Sequence, residues 1–533
     1  MKKRNYLFLI LIVLSFHIFL NYQILKKSSF FRVEDEGGIV VNSLFYYRAV
    51  FADNTTSFSD KLHYIFELYG NCHPHLVDLA GALSWKILYS LKLLDIDLMV
   101  LMVNSIFLLV LLSSVYGIGS MVFNRNVGVL SAALVSMFPV VFGHSRVAML
   151  DFPLMCMISL GFYLLLKTRG FSSVSYSLLA GIALGLSQAT KETAFVFILG
   201  PLIYYSIRAY PANNKKRALL NFVMMATCFF AVSAIIYLRP ENLHVFKIFF
   251  GKITYIKSPL SPFHYLSNFI EMTGPLVSVI TLPLLAHYLV NIKGRDKFLL
   301  IWFIIPIALF SLSQNKTIRF LLPVLPAFAL MVSSEADKIK LSKEFKKTVY
   351  AMLILIPIVQ FAFFNTGLLD TKIKSIYFET GILHAIKDEH PPDSVKLLEV
   401  FNMEAKMNKG VPKKVLFLFS IGKIGWPFWL NVVLHQLPFD VADHLRTDEA
   451  QVVDSYGIDW NEKILEADYI IDKTGSKPGS DCAKHILKGL EDGFSKHKGR
   501  FDLIAKIKLS FDGSVMYVYR KSESIGPQTG VKS

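Results

Sequence analysis

Two kinds of charged residue stand at the ends of apolar runs, where ionisable groups are costly to bury and tend to be functional. The acidic ones are the pair Asp35-Glu36 and Asp151, and the basic ones are Lys191 and Arg319. A carboxylate can act as general base for an acceptor hydroxyl, and lysine and arginine can hold a phosphate. Together they predict group transfer from a phosphate-linked donor, with fixed cations stabilising the departing phosphate.

The composition places these residues in a membrane protein. The chain has 533 residues, of which 53% are hydrophobic and 18% charged, and its mean hydropathy is +0.46. Soluble globular chains rarely reach that mean, because polar residues must cover their surface. The formal net charge of +16 is interpreted as basic cytoplasmic loops. It does not indicate nucleic-acid binding, which needs a concentrated basic face with interleaved aromatic residues.

Uncharged runs predict eleven membrane-spanning helices. They cover residues 6–25, 98–123, 126–143, 152–166, 170–190, 193–207, 218–238, 272–292, 298–315, 320–334 and 348–369. Segment 76–94 is amphipathic, and it fits either a further span or a helix in the membrane interface. Segment 1–25 begins with MKKR, and no small-residue cleavage site follows it. We therefore predict an uncleaved first span with its N-terminus in the cytoplasm.

The distribution of Lys and Arg decides between the two topologies. If 76–94 does not span, nearly every basic cluster falls on one side, which the positive-inside rule identifies as the cytoplasm. We therefore predict eleven spans and an interfacial helix at 76–94. All the charged residues named above then lie in the non-cytoplasmic segments. These segments are 26–97, 144–151, 191–192, 239–271, 316–319 and everything after about residue 370.

The last part of the chain differs in composition from the rest. It mixes polar and apolar residues, as small α/β domains do. Strand-like runs occur at Val415–Phe419, Tyr469–Ile471 and Val515–Tyr519, and a helix-like stretch at Cys482–Leu490. We predict a transmembrane domain at residues 1–369 and a C-terminal extracytoplasmic α/β domain at 370–533.

Five short motifs follow one another along the chain at the predicted non-cytoplasmic side. They are the acidic pair Asp35-Glu36, the segment His73-Pro74-His75-Leu76, the SR-x-A-x-x-D segment 145–151, the G-x-A-x-G-L-x-x-x-T-K segment 181–191 and the K-x-x-R-F-x-L-P segment 316–323. Over roughly residues 1–335 the chain therefore resembles the GT-C glycosyltransferases. Among these it is most similar to the protein O-mannosyltransferases and the bacterial aminoarabinose (lipid A) transferases. It departs from the family pattern at His75, where a second proline is typical, and at Gly37-Gly38 after the acidic pair.

The resemblance implies an α-helical polytopic membrane protein of the GT-C type, in the cell membrane, with its active site on the extracytoplasmic side. The implied reaction moves a sugar from a polyprenyl-phosphate or dolichyl-phosphate donor to a lipid, protein or glycan acceptor, with inversion at the anomeric carbon. No cofactor is required, and a divalent metal is compatible with the site.

The resemblance also assigns roles by position in the motifs. The implied catalytic carboxylates are Asp35, Glu36 and Asp151. The implied donor-phosphate ligands are Lys191, Arg319, Lys316 and Arg146. The implied substrate-binding residues are His73 and His75.

Each of these positions also has a plainer interpretation. The acidic pair fits solvated loop charges, Asp151 fits a helix N-cap, and the cations fit anchors at the membrane interface. The histidine pair fits a metal site or simple packing. Gly181 and Gly185 have the spacing of small residues at which two helices pack closely.

Two other classes of function fit parts of the sequence. A transporter or flippase of lipid-linked sugars would place polar groups near the membrane midplane, often within inverted repeats. Here the charged residues gather at one membrane edge, and the sequence shows no internal repeat. A structural or assembly protein could instead act through its C-terminal domain. That hypothesis does not explain why the charged residues gather at one membrane edge. The sequence therefore favours a glycosyltransferase.

Overall fold

The structure is a computed structural model, and it divides the chain into two compact units. One unit comprises Met1–Ser28 and Asn42–Lys387, and the other Ser29–Val41 and Asp388–Ser533. The residues that the structure describes are 3–25, 34–52, 57, 76–93, 95–209, 215–237, 263–291, 297–313, 316–338, 343–365, 393–407, 413–417, 439–442, 464–473, 491–509 and 514–522.

The first unit is built from helices in its described residues. They are Lys3–Leu25, Leu76–Ser90, Ile96–Val122, Arg125–Ser136, Pro139–His144, Asp151–Lys167, Val174–Gln188, Ala194–Ala209, Lys215–Tyr237, His264–Ser267, Phe269–Thr273, Pro275–Val290, Lys297–Leu312, the 3-10 helix Ile318–Val324, Leu325–Lys338 and Lys343–Asn365. Helix Glu34–Tyr47 belongs partly to each unit, and it is followed by a π-helical turn at Arg48–Ala52.

Among the described residues, five helical segments are long and apolar enough to cross a membrane. They are Phe8–Leu25, Ile96–Val122, Lys215–Ala234, Ile318–Lys338 and Lys346–Phe363. Four shorter apolar helices accompany them, at Val174–Gln188, Ala194–Arg208, Pro275–Val290 and Lys297–Leu312. Each of the eleven runs predicted as spans contains a helix. The prediction of a polytopic helical membrane protein is therefore confirmed.

Helix Leu76–Ser90 covers most of the amphipathic segment 76–94. One of its faces is buried, with Asp78 and Trp85 on it, and the Trp85 indole donates a 2.9 Å hydrogen bond to the Ser43 hydroxyl. The helix has 15 residues, fewer than a span of the membrane core usually needs. Its predicted interfacial position stays a prediction.

Prolines divide two of the predicted spans. Run 126–143 breaks into Arg125–Ser136 and Pro139–His144, because Phe138 is extended and Pro139 begins the second helix. Proline has no N–H to donate to the preceding turn, but it fits the first turn of a new helix. Run 320–334 likewise begins as the 3-10 helix Ile318–Val324, with Pro323 inside it. The second break carries Arg319, and the short helix after the first break packs against helix Asp151–Lys167.

Segment Ile318–Lys338 is the most buried of the five long helical segments, with 89% of its apolar window inside the protein. Its α-helical part, Leu325–Lys338, packs against Arg125–Ser136 and Pro275–Val290. Helix Val174–Gln188 packs against both Asp151–Lys167 and Lys215–Tyr237. The bundle therefore fixes the starts and ends of the helices that carry the charged motifs.

Gly181 and Gly185 lie where Val174–Gln188 meets Lys215–Tyr237. A Cβ atom added at Gly181 would lie 2.2 Å from the Met225 carbonyl oxygen, and one at Gly185 would lie 2.8 Å from Cβ of Val232. The interpretation of this glycine pair as a close helix contact is confirmed.

The second unit contains one mixed sheet in its described residues. Its strands are β1 (Lys413–Phe417), β2 (Phe439–Ala442), β3 (Tyr469–Lys473), β4 (Phe501–Lys508) and β5 (Val515–Lys521). Their order is β2-β1-β3-β5-β4. The first three are parallel, with Lys413 opposite Phe439 and Val415 opposite Tyr469. Strand β5 is antiparallel to both its neighbours.

Helix Asp393–Met407 contributes Leu397 and Phe401 to the core of this sheet. Its buried Glu404 accepts a 2.6 Å hydrogen bond from the Tyr469 hydroxyl and lies 3.4 Å from the Arg520 guanidinium. The predicted small α/β domain and its three predicted strands are confirmed. Helix 393–407 and strands β2 and β4 were not predicted. The predicted helix Cys482–Leu490 and the predicted boundary at 369–370 lie outside the described residues.

Candidate active site

Asp151 is the first residue of helix Asp151–Lys167. The N-cap is Leu150, so the interpretation of Asp151 as an N-cap is wrong. Its side chain is 3% exposed, and a carboxylate in this first turn is favoured by the helix dipole. The side chain is therefore available to other polar groups, although almost no solvent reaches it.

The loop before Asp151 is held by the first helix and by its neighbour in the bundle. The Asn21 amide donates to the Ser145 hydroxyl at 3.0 Å, and its oxygen accepts from Arg146 Nε at 2.8 Å. Asn104 donates to the Val147 carbonyl at 3.0 Å. These bonds fix the backbone that delivers Asp151 to the site.

Lys191 lies in the turn after helix Val174–Gln188. The Gln188 amide donates to the Glu192 carbonyl at 2.9 Å, and the Thr190 hydroxyl donates to the Leu186 carbonyl at 2.8 Å. The turn directs Lys191 to Asp151, and its Nζ lies 2.7 Å from Oδ1.

Arg319 stands at the beginning of the 3-10 helix Ile318–Val324. Its Nε lies 3.7 Å from Oδ2 of Asp151, and its Nη1 lies 3.7 Å from Sδ of Met149. The Arg319 side chain is 26% exposed, compared with 8% for Lys191. Arg319 is therefore the more accessible of the two cations. One carboxylate faces two cations, which leaves one net positive charge for an anionic ligand.

The Phe320 ring lies beside both cations. Its centroid is 4.8 Å from Lys191 Nζ and 5.9 Å from Arg319 Cζ. The face of an aromatic ring attracts cations electrostatically. Phe320 therefore orients the two cations and forms an apolar side of the site.

The charges around Asp151, which precedes the predicted span 152–166, keep it ionised. Burial opposes ionisation, but Lys191 and Arg319 outweigh it and leave the pKa of Asp151 below its ordinary value. A carboxylate with a lowered pKa is a weak base. Asp151 is therefore better suited to holding the two cations than to removing a proton.

His144 and Tyr265 bring neutral polar groups near these charges. Burial lowers the pKa of His144 to about 4, and its charged neighbours are Asp151, Lys191 and Arg319. Burial raises the pKa of the Tyr265 hydroxyl above its ordinary value, and the Asp151 charge adds to that shift. Both side chains are thus uncharged at neutral pH.

The remaining predicted residues do not join this group among the described contacts. Arg146 is buried, with its guanidinium 5.1 Å from the Phe142 ring and 5.9 Å from the Phe361 ring. Lys316 is half-buried just before the 3-10 helix. The predicted roles of both in phosphate binding stay predictions.

The acceptor side of the prediction lies largely outside the described structure. Asp35 and Glu36 belong to the first turn of helix Glu34–Tyr47, where only the backbone is described. They had been predicted in a loop. His73 and His75 lie outside the described residues. Within the described part of the chain, no cluster of three His, Cys, Asp or Glu residues could hold a metal.

Sequence reasoning assigned no role in the site to His144, Tyr265 or Phe320. Phe320 occupies the aromatic position of the K-x-x-R-F motif, which was a usable signal. His144 directly precedes the SR-x-A-x-x-D motif, but adjacency alone does not show where an imidazole points. Tyr265 lies in the aromatic-rich segment 239–271, which is predicted to be non-cytoplasmic and where an interface belt is the ordinary explanation.

Part of the sequence of the first unit matches a described family. Residues 76–250 match the family dolichyl-phosphate-mannose-protein mannosyltransferase. This match contains Asp151 and Lys191, and it ends before Arg319. No curated protein sequence matches the chain.

Solved structures match over nearly the whole chain. ArnT from Cupriavidus metallidurans bound to undecaprenyl phosphate is 14% identical, with a TM-score of 0.60, and the match covers 95% of this chain and 97% of ArnT. AglB from Archaeoglobus fulgidus, an archaeal oligosaccharyltransferase in complex with an inhibitory peptide and a dolichol-phosphate, is 12% identical, with a TM-score of 0.53. That match covers 98% of this chain and 75% of AglB. The chain has the GT-C glycosyltransferase fold, and the predicted resemblance is confirmed.

Proposed function

We propose that the chain is an inverting glycosyltransferase that moves a sugar from a polyprenyl-phosphate donor to an acceptor at the non-cytoplasmic membrane face. The observation that carries the proposal is the group of Asp151, Lys191 and Arg319, with one buried carboxylate between two cations. The GT-C fold and the mannosyltransferase match over residues 76–250 support the same class of reaction.

The charge of this group suits the proposed donor. A sugar joined to a polyprenol through phosphate is a phosphodiester with one negative charge, which equals the net positive charge of the group. When the sugar leaves, the phosphate becomes a monoester and its negative charge grows. Lys191 and Arg319 stabilise that growing charge more strongly than the charge of the bound donor, and this difference accelerates transfer.

The proposed step is a single displacement. The acceptor oxygen attacks the anomeric carbon from the face opposite the phosphate, a new C–O bond forms, and the bond from carbon to the phosphate oxygen breaks. The acceptor proton goes to Asp35, with Glu36 as its neighbour, because Asp151 is held as the partner of two cations. The configuration at the anomeric carbon is inverted.

The structural relatives support the ligand classes. The ArnT structure is bound to undecaprenyl phosphate, and the AglB structure is in complex with an inhibitory peptide and a dolichol-phosphate. By analogy, a polyprenyl phosphate is the lipid part of the donor, and a hydroxyl of a lipid, protein or glycan is the acceptor. We propose that the domain at 370–533 lies outside the cytoplasm and selects this acceptor.

The test is sugar transfer by the purified full-length chain, with a panel of polyprenyl-phosphate sugars as donors. We expect Asp35→Asn to abolish transfer without changing thermal unfolding. Glu344→Gln removes an exposed carboxylate and is the matched control with unchanged turnover. Full turnover by Asp35→Asn would refute the assignment of the base. No transfer by the wild-type chain from any donor of the panel would refute the function.

A further inference from the structure

The two ring nitrogens of His144 have different surroundings. The side chain is fully buried at the end of helix Pro139–His144. Its Nδ1 lies 2.7 Å from the Val140 carbonyl oxygen. A carbonyl oxygen can only accept a hydrogen bond, so Nδ1 carries the ring proton. In the neutral ring, Nε2 then holds a lone pair and acts only as an acceptor.

Nε2 of His144 is buried and has no hydrogen-bond partner in the described part of the chain. An unpaired buried polar atom costs about 1–3 kcal/mol, so it is a candidate for binding a ligand. Because Nδ1 faces the carbonyl of its own helix, Nε2 is directed away from that turn. Helix Pro139–His144 packs against Asp151–Lys167 and Ile318–Val324, the elements that carry Asp151 and Arg319.

The charged groups of the site do not supply the missing donor. The Asp151 carboxylate is ionised and has no proton to give. The Lys191 ammonium uses one of its three N–H donors on Asp151 at 2.7 Å, and neither Lys191 nor Arg319 donates to Nε2 of His144, which has no partner in the described part of the chain. A phosphodiester also lacks a proton at neutral pH. Nε2 therefore needs a donor from a ligand, and the hydroxyl groups of a sugar are donors of the right kind.

We propose that Nε2 of His144 accepts a hydrogen bond from a hydroxyl of the sugar carried by the donor lipid. The site then recognises the phosphate through Lys191 and Arg319 and the sugar through His144. This inference rests on the proposed function and adds a sugar-binding residue to it. A hydroxyl of the acceptor substrate has the same chemistry, and lipid binding without acceptor separates the two sources.

Two substitutions separate the two ring nitrogens. His144→Asn places a polar atom near the position of Nδ1 and removes the one at Nε2. His144→Gln places an acceptor near the position of Nε2. If His144 only bonds to the Val140 carbonyl, His144→Asn preserves its function. If His144 recognises the sugar, His144→Gln preserves its function.

The experiment measures the binding of three lipids to the purified full-length protein without acceptor. The probes are undecaprenyl phosphate, undecaprenyl-phosphoryl-mannose and undecaprenyl-phosphoryl-aminoarabinose. For His144→Asn we expect the Kd of at least one glycosylated lipid to rise about five- to tenfold, since one hydrogen bond contributes about 1 kcal/mol. The Kd of undecaprenyl phosphate stays within twofold. His144→Gln stays close to wild type with all three lipids.

Several outcomes would overturn the inference. One is that His144→Asn leaves both glycosylated lipids bound as in wild type, even if its KM for the acceptor rises. Another is that it weakens undecaprenyl phosphate as much as the glycosylated lipids. A third is that His144→Gln loses sugar recognition while His144→Asn keeps it. If the wild-type chain binds none of the three lipids, the proposed function itself fails. Thermal unfolding of both variants checks that they are folded.

Discussion

The Lys191 ammonium lies 2.7 Å from Oδ1 of Asp151, and both side chains are almost completely buried. The two residues are 40 positions apart in the sequence, and their pairing joins the turn after one helix to the start of another. Breaking a buried pair by removing one partner is costly because an uncompensated charge remains, whereas removing both partners is often tolerated. The pair therefore affects folding as well as ligand binding, and experiments must separate the two effects.

A double-mutant cycle separates them. We expect Lys191→Met to destabilise the protein by about 3 kcal/mol, reduced to the extent that Arg319 compensates the remaining carboxylate. Adding Asp151→Asn restores most of the stability, because the buried carboxylate is then neutral and Arg319, which loses this neighbour, is 26% exposed and reaches solvent. Binding of undecaprenyl phosphate stays weak in the double variant, because Lys191 is absent. Unfolding in detergent and lipid binding are measured on all four proteins. Independent, additive effects on stability would contradict the coupling.

The Phe320 ring provides a second test of how the cations are held. Each cation–π contact contributes about 0.5–1 kcal/mol at a partly exposed site. We expect Phe320→Leu to weaken binding of undecaprenyl phosphate about two- to tenfold. Phe320→Tyr keeps the ring and serves as the control with nearly normal affinity. Equal losses in both variants would show that shape, and not the ring face, is what matters.

Much of this architecture is predictable from the sequence. The eleven uncharged runs correspond to helices because a membrane core demands long apolar segments with internally satisfied backbones. The meeting of Asp151, Lys191 and Arg319 was expected, because charge topology placed their segments at one membrane edge. Hydropathy therefore predicts where the helices lie. The charged residues at the helix ends indicate which of these ends meet.

The rest depends on contacts that hydropathy does not record. The break at Pro139 falls inside an uninterrupted apolar run, and helix Glu34–Tyr47 begins with three charged residues that suggested a loop. The importance of His144 depends on which of its nitrogens faces Val140. That contact lies within one helical turn, but the burial that leaves Nε2 without a partner comes from tertiary packing, which a single sequence does not display.

The contact at Gly181 predicts a sharp steric effect. We expect Gly181→Ala to destabilise the protein by about 1–3 kcal/mol, because its Cβ would lie 2.2 Å from a backbone oxygen that cannot move alone. Gly200→Ala is the matched control. Its Cβ would lie 2.7 Å from Cδ1 of Ile305, the flexible end of a side chain, so the loss is smaller. Thermal unfolding of the two variants measures the difference. Equal losses would contradict this account of the helix contact.

The predicted topology can be tested with fusions to a reporter that is active only outside the cytoplasm. A fusion after residue 95 is expected to be active, because 76–94 is predicted to lie in the interface without crossing. A fusion after residue 125, beyond helix Ile96–Val122, is the control and is expected to be inactive. A cytoplasmic signal after residue 95 would rule out the eleven-span arrangement and the proposed face of action.

The buried imidazole of His144 predicts how stability depends on pH. Its pKa is about 4 in the folded protein and 6.5 ordinarily, so between these values the unfolded chain binds a proton that the folded chain does not. The contribution of His144 to the free energy of unfolding is complete above about pH 7. It decreases as the pH falls, by about 2 kcal/mol between pH 7 and pH 5. His144→Gln does not titrate, so its unfolding temperature should fall less than that of the wild type over this range. Measuring both proteins at pH 7 and pH 5 tests the prediction, and an identical fall would mean that His144 is accessible to protons in the folded state.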